Sequence, residues 1–290
     1  MKFIAAVAVA LSLFFAPAAH ASPWAPERGH GYAKIWMKYL LGFGFVNNEG
    51  ETSDYANYHE LFVASYGEVG LGGRFAFWWQ SDLVRTFYLR DPVENRRRAH
   101  VASGDPAVGA SWQFLARERL AMSLSFGVRA PLADAEPVQT VFSRSANDEG
   151  EFETLGALQL GEGAWSVSTK LEAGYAFDTW YLAASLGYAI RNRGYDDRLT
   201  WSVEAGLNFR PRLRGRIRLS GAHSLPFGTA ERVNTPSGLG NGVSWAGASL
   251  EGEYEFVDDS FFGVSLEGGL GFLRSQTAGP VVSLYVANQF

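Results

Sequence analysis

Apolar and polar residues alternate with a period of two from Gly31 to the end of the chain. In the segment from Leu199 to Arg210, odd positions are apolar or small, and even positions are polar, charged or glycine. Because successive side chains of a β-strand point to opposite faces, each such segment has one apolar face and one polar face. The pattern predicts an all-β protein.

Turn-forming residues divide the alternating sequence into twelve predicted strands. The strands span residues 31–45, 57–71, 74–88, 104–115, 119–130, 164–177, 180–191, 198–210, 214–225, 244–256, 261–273 and 280–290. Short connections, such as 72–73 and 178–179, alternate with long polar ones, such as 132–163 and 226–243. This asymmetry is typical of a transmembrane β-barrel, with short turns at one end and long loops at the other. We therefore expect a closed antiparallel transmembrane β-barrel of about 12 strands.

Two of the long connections carry further features. The segment from Phe152 to Gly163 either extends the sixth strand or forms a separate element. The predicted loop 91–103 contains the basic run Arg96-Arg97-Arg98 and His100. Cationic side chains bind phosphate groups well, so this loop is a candidate contact for lipopolysaccharide.

The N-terminus has the organisation of a secretory signal peptide. Lys2 precedes an apolar segment from Ile4 to Phe15, and Ala19-His20-Ala21 forms a cleavage site of the small-x-small type. We expect a signal peptide at residues 1–21 and a barrel domain at residues 22–290. Such a protein is exported to the outer membrane of a Gram-negative bacterium.

The composition narrows the range of partners. The formal net charge of −5 makes nucleic acid an unexpected partner. The chain has no cysteine, which excludes disulfides, thiol nucleophiles and thiolate metal sites. No metal or cofactor is predicted, and the expected partners are outer-membrane lipids, lipopolysaccharide and a small-molecule solute.

A barrel in lipid directs its polar faces inward, because lipid contains no water to solvate them. The candidate lumen-lining residues are Arg214, Arg216, Arg218, Glu251, Glu253, Glu255, Glu267, Glu204, Tyr66 and Trp78. The arginine row and the glutamate row lie on adjacent predicted strands, where period two keeps each row on one face. They form either a salt-bridged patch that stiffens the wall, with Arg218 coupled to Glu253, or a transverse field that selects polar or amphipathic solutes.

The C-terminal segment ends on Phe290 and resembles the closing-strand signal that the outer-membrane assembly machinery recognises. Enzymes of the outer membrane that use a catalytic serine need a serine, a histidine and an orienting polar group on one face of the wall. The adjacent pair His223-Ser224 points to opposite faces, so we predict a protein that is not an enzyme. A lipid-modifying enzyme of the outer membrane is the minor alternative.

Several short motifs resemble the outer-membrane family described as transporters of the phenol meta-degradation pathway. They are Trp24 with Gly29-His30-Gly31-Tyr32, the segment from Tyr66 to Leu71, Gly104-Asp105-Pro106, and Pro131. The family usually has Glu-Tyr-Gly-Leu where this chain has Glu-Val-Gly-Leu, at 68–71. The resemblance implies uptake of small hydrophobic or amphipathic molecules through a passive channel. A non-conducting barrel that serves in structure, assembly or export is the other expectation.

Overall fold

The computed structural model describes residues 23–54, 58–90, 97–133, 136, 138–140, 156–232 and 234–290, so the expected signal peptide lies outside it. The described residues form the strands β1 (Gly31–Leu41), β2 (Gly44–Val46), β3 (Thr52–Asp54), β4 (Tyr58–Gly72), β5 (Phe75–Arg90), β6 (Arg97–Ala102), β7 (Ala107–Ala116), β8 (Leu120–Arg129), β9 (Val138–Thr140), β10 (Gly156–Leu158), β11 (Ser166–Ala176), β12 (Trp180–Arg191), β13 (Asp197–Arg210), β14 (Leu213–Leu225), β15 (Ser244–Val257), β16 (Ser260–Arg274), β17 (Gln276–Ala278) and β18 (Val281–Gln289). Within these ranges, no helix is long and apolar enough to cross a membrane.

Twelve of the strands form a closed antiparallel ring, in the order β4-β1-β18-β16-β15-β14-β13-β12-β11-β8-β7-β5, and β5 pairs again with β4. The first and last strands of the chain meet, because β1 pairs with β18 along its length. Closure removes the exposed edges that an open sheet would have. The predicted all-β closed antiparallel barrel of twelve strands is confirmed.

Short turns join the barrel strands at one end, called here the turn end, and longer connections lie at the opposite loop end. Between β4 and β5 the turn residues Gly73 and Arg74 have φ values of 61° and 70°. Two successive left-handed residues are the backbone of a type I′ turn, whose twist matches that of a β-hairpin. The alternation of short and long connections predicted from the sequence is therefore present.

The outer surface of the barrel is apolar. Ile35, Phe126, Leu186 and Ile217 lie on four different strands and are 57%, 55%, 55% and 58% exposed. Their neighbours along each strand point inward, where most charged side chains of the wall lie. A continuous apolar belt around a closed sheet is the surface that a bilayer accommodates.

The loop end contains strands that the alternation pattern did not predict. β6 extends the pairing of β5, so residues 97–102 form a strand where a loop was expected. The predicted first strand ends its barrel part at Leu41, and β2 joins β3 and β17 in a separate small sheet. β9 pairs with β10, which makes residues 156–158 a separate element rather than an extension of the sixth strand.

A buried apolar cluster occupies the loop end of the barrel. It consists of Phe45, Tyr58, Phe87, Leu89, Leu158, Leu160 and Leu239. Leu158, Leu160 and Leu239 come from long connections and pack against Tyr58 and Phe87 on the inner wall. Burial of this apolar surface holds the connections inside the mouth instead of leaving them in solvent.

Candidate functional site

The middle of the lumen contains a cavity of about 520 Å³, called here the main cavity. Charged and aromatic side chains dominate its lining, among them Lys34, Trp36, Tyr66, Glu204, Arg216, Arg218, Trp245, Glu251, Glu267 and Tyr285. Period-two alternation brings them together, because each occupies the inward face of its strand. The cavity is lined by charged side chains and by aromatic rings.

A buried ion-pair network crosses the wall between β14, β15 and the β1–β18 seam. Arg216 forms ion pairs with Glu251 and, at 3.4 Å, with Glu253. Lys34 approaches Glu251 at 3.3 Å, and the Tyr285 hydroxyl donates to the same carboxylate at 2.6 Å. The Lys34 ammonium also lies 3.4 Å from the centre of the Tyr285 ring. Each charge in the network thus has an opposite charge beside it, which offsets the cost of removing it from water.

The register between β14 and β15 differs from the expectation. Arg214 lies opposite Glu253, Arg216 opposite Glu251, and Arg218 opposite Ser249. The expected pairing of Arg218 with Glu253 is therefore wrong. No tight turn joins these two strands, since the long connection 226–243 lies between them, so the hairpin rule that sets register from turn length does not apply.

The remaining members of the arginine and glutamate rows are of two kinds: Arg214 and Glu255 lie nearer the turn end, and Arg218 forms no ion pair within the described residues. Arg214 Nη2 is 3.9 Å from Glu255 Oε2, and both side chains are partly exposed. Arg218 lines the main cavity, and its buried Nε has no hydrogen-bond partner among the described residues. The two rows thus provide one network, around Arg216, in which each charge has an oppositely charged partner. They also place one guanidinium, that of Arg218, at the main cavity.

The remaining predicted lumen residues also lie on the inner wall. Glu204 accepts a hydrogen bond from the Tyr181 hydroxyl at 2.5 Å, and Glu267 pairs with Lys38 at 2.6 Å. The buried Tyr66 donates to Glu68 at 2.9 Å. Trp78 borders a second, smaller cavity.

Tyr285 was not among the predicted lumen residues, although a usable signal was present in the sequence. Ser283, Tyr285 and Ala287 are buried, whereas Val282 and Leu284 are exposed to the outside. Tyrosine is a frequent girdle residue of barrels, so its type alone does not indicate an inward position. The phase of the alternation along β18 does indicate it.

The segment before β1 enters the barrel from the turn end. The Gly29 amide donates to the Gly70 carbonyl at 2.9 Å, and Gly70 donates to the His30 carbonyl at the same distance. Trp24 then lies against β11, where a Cβ at Gly174 would come within 2.4 Å of its ring. The ring meets Tyr181 edge-on at 6.2 Å. Pro23 and Trp24 therefore form part of the lining of the main cavity and narrow it from the turn end.

At the loop end, Glu162 ties the connection before β11 to the wall. Its carboxylate pairs with Arg191 at 3.0 Å and with Arg198 at 3.1 Å, and its amide donates to Asp105 at 2.7 Å. Burial by itself would raise the pKa of the Glu162 carboxyl, but the neighbouring arginines lower it to about 2. The carboxyl is therefore charged at neutral pH and holds the connection in place.

A similar contact holds the connection 226–243. Arg85 pairs with Glu60 and donates to the Ser237 carbonyl at 3.4 Å. Arg232 pairs with Asp196 at 2.9 Å, and Asp196 also accepts from the Gly228 amide at 3.1 Å. Charged contacts and the apolar cluster together narrow the lumen at the loop end.

The described residues show no evident metal site, and the serine and histidine considered from the sequence do not come together. No group of three or more His, Asp or Glu side chains within the described ranges could hold a metal ion. Ser224 is buried and donates to Asp196 at 3.1 Å. Its neighbour His223 follows the outward phase of β14 with Leu219, so the pair does not share a face.

No family model matches the chain, and no curated protein matches it in sequence. Among solved structures, an outer membrane channel from Pseudomonas putida F1 superimposes with a TM-score of 0.62 at 10% identity, over 94% of this chain and 100% of that one. The NanC porin gives a TM-score of 0.52 at 7% identity, over 89% of this chain and 98% of that one. The KdgM porin gives 0.50 at 8% identity, over 89% and 99%. At such low identity the likeness shows the shared barrel fold.

Proposed function

We propose that the protein is an outer-membrane β-barrel channel of a Gram-negative bacterium, through which small molecules diffuse passively. The main cavity carries the proposal, because it places a space lined by charged and polar side chains at the centre of a closed barrel with an apolar outer belt. A cavity of about 520 Å³ leaves space for a small solute among the side chains of the lumen. The likeness to channel and porin folds supports the same function.

Hydrophobic or amphipathic solutes are the proposed cargo. Motif resemblance to the transporters of the phenol meta-degradation pathway supports it, together with the aromatic rings of Trp36, Trp245 and Tyr285 that line the main cavity beside its charges. An amphipathic solute can place its apolar part on a ring and its polar part on a charged side chain. Outer-membrane lipids and lipopolysaccharide are the proposed surroundings of the apolar belt.

Single-channel recording on the refolded mature protein tests the proposal. We expect steady conductance steps, because polar side chains line the main cavity. The steps should be small, because Pro23 and Trp24 narrow the lumen at the turn end and the packed connections narrow it at the loop end. A bovine serum albumin sample in the same detergent serves as the protein control. Silence at every voltage, with a correctly folded barrel, would instead favour the non-conducting structural or assembly barrel, which the narrowing at both ends also suits.

We further propose that the outer-membrane assembly machinery recognises Phe290. In the folded barrel Phe290 is half exposed and its backbone completes the seam with β1, through a hydrogen bond from Gly31 N at 2.7 Å. Its ring lies against Gly31, and the exposed half of the side chain remains accessible at the turn end.

Phe290→Ser should sharply reduce the folded protein recovered from outer membranes while leaving refolding in lipid vesicles without the machinery nearly unchanged. Phe262→Ser is the matched control, because Phe262 is a turn-end aromatic of similar exposure, 47% against 50%. Heat-modifiable gel mobility measures folded protein in both settings. Equal losses for the two variants in cells would contradict recognition of the terminal residue.

A further inference from the structure

A second cavity of about 220 Å³, called here the outer cavity, lies toward the loop end of the lumen. Its lining comes mainly from β5, β8, β11, β12 and β13. The two cavities are contiguous, because the same side chains border both: Tyr66, Gln80, Arg129, Lys170 and Thr200. A solute that moves along the lumen would therefore pass the outer cavity.

The charges that border the outer cavity are all positive. Arg129, Lys170 and Arg198 line it, and no aspartate or glutamate of the described chain does so. Lys170 and Arg198 have carboxylate partners at 3.0 and 3.1 Å, but those carboxylates lie outside the lining. Arg129 donates to the backbone carbonyl of Asp105 at 3.0 Å and forms no ion pair in the described part of the chain. The outer cavity thus has an excess of positive charge.

Two buried donors at the outer cavity have no acceptor. Trp78 Nε1 and Arg198 Nε are inaccessible to solvent and lack a hydrogen-bond partner among the described residues. Buried donors of this kind are normally satisfied, and a small movement of either side chain toward the cavity would let it donate to a bound acceptor. Three hydroxyl groups border the same space, but Ser125 already donates to Glu172 at 3.1 Å and Ser168 to the Gly127 carbonyl at 3.4 Å. The Thr200 hydroxyl is the further donor of the three.

The indole of Trp78 gives the outer cavity a flat apolar wall. A Cβ at Gly109 would come within 2.4 Å of Trp78 Cζ2, and a Cβ at Gly127 within 2.5 Å. The ring therefore lies directly on the two glycines, which leave room for it on β7 and β8. A cavity of about 150 Å³ is known to hold benzene, so the outer cavity is large enough for one aromatic ring with a substituent.

We propose that the outer cavity binds a small organic carboxylate whose apolar part is a single planar ring. The carboxylate accepts from the Arg129 guanidinium, and the ring packs along the Trp78 indole. This inference rests on the proposed channel function and narrows its cargo to an amphipathic anion. A solute that leaves the outer cavity would then pass the ion-paired side chains of the main cavity.

Isothermal titration calorimetry of the refolded mature protein in zwitterionic detergent tests the proposal, with benzoate as the probe and protein-free micelles as the blank. We expect saturable binding of benzoate, and binding about 10- to 100-fold weaker in Arg129→Gln, because a hydrogen bond to a charged group is lost. Arg212→Gln is the matched control, since Arg212 lies in an exposed turn and borders neither cavity. Its affinity should equal that of the unmodified protein.

Two other ligands and a second variant separate the contribution of the carboxylate to binding from that of the ring. Benzyl alcohol, which has the ring without the charge, and acetate, which has the charge without the ring, should both bind far more weakly than benzoate. Equal binding of either one, or absence of benzoate binding, overturns the proposal. Trp78→Phe replaces the indole by a smaller ring and so reduces the flat wall on which the ligand's ring packs, and it should weaken benzoate binding about 3- to 10-fold. It keeps the test decisive if Arg129→Gln fails to fold.

Recordings on the same samples separate this inference from the channel function. Conductance steps without benzoate binding overturn the anion site and leave the channel in place. Saturable, Arg129-dependent benzoate binding in a barrel that stays silent at every voltage supports the site and overturns the channel.

Discussion

In a chain that starts at residue 22, removing residues 22–27 is expected to raise single-channel conductance several-fold. The backbone pairs that join Gly29 and His30 to Gly70 direct the preceding residues into the barrel. There Pro23 and Trp24 reach β11 and occupy lumen cross-section beside Tyr181. The deletion spares β1 and the closing pairs with β18, so the barrel wall remains intact.

The measurement is the conductance, in the same bilayers, of the truncated chain and of the full-length chain that starts at residue 22. A chain in which residues 22–27 are replaced by a glycine–serine segment of equal length is the control, because it keeps the backbone but lacks the Trp24 ring. We expect an intermediate conductance for it. A truncated protein with the same conductance as the full-length one would show that the narrowest point lies at the loop end.

Arg216→Gln is expected to lower the free energy of unfolding by about 3–5 kcal/mol, the usual cost of breaking a buried pair by removing one partner. Arg216 is the cation that Glu251 and Glu253 share, and both it and Glu253 are almost fully buried. With the guanidinium gone, Lys34 is left as the cation beside Glu251, at 3.3 Å. The carboxylates of Glu251 and Glu253, two residues apart on β15, would then have only the positive charge of Lys34 nearby.

Denaturant unfolding of the refolded barrel, followed by heat-modifiable gel mobility, measures this loss. Arg216→Gln combined with Glu251→Gln should recover part of it, since the uncompensated charge is also removed. Arg214→Gln is the matched control on the same strand, and it should cost only about 0–1 kcal/mol because its pair is longer and partly exposed. If the Arg216 variant were as stable as the control, the network would not stabilise the wall.

The contacts of Arg216 and Arg218 bear on the two interpretations of the arginine row that the sequence leaves open, a stiffened wall and a field that selects solutes. The network around Arg216 is internally satisfied, which suits a stiffened wall. Arg218 forms no ion pair within the described residues and faces the main cavity, which suits contact with solutes. A single row of arginines thus contains one residue that is ion-paired and one that faces the cavity, and the difference depends on which residue lies opposite each one.

The sequence by itself determines the wall of this barrel. Alternation is a local property, so the phase of one strand is enough to send Arg216 inward and Ile217 outward. Turn residues are local too, and the predicted strand 180–191 agrees with β12 at both ends. The prediction of a closed barrel then follows from the need to leave no unpaired edge in lipid.

Only the tertiary structure decides which inward residues meet. Arg216 pairs with Glu251 because the stagger of β14 against β15 is set around the whole ring, and no short turn between the two strands encodes it. The burial of Leu158 and Leu239 against Tyr58, and the arrival of Trp24 at Gly174, join residues far apart in the chain. Such contacts depend on packing between distant segments, which a periodic pattern within one strand does not contain. Local alternation therefore determines which residues form the wall, whereas the contacts among side chains and connections inside the lumen exist only in the folded barrel.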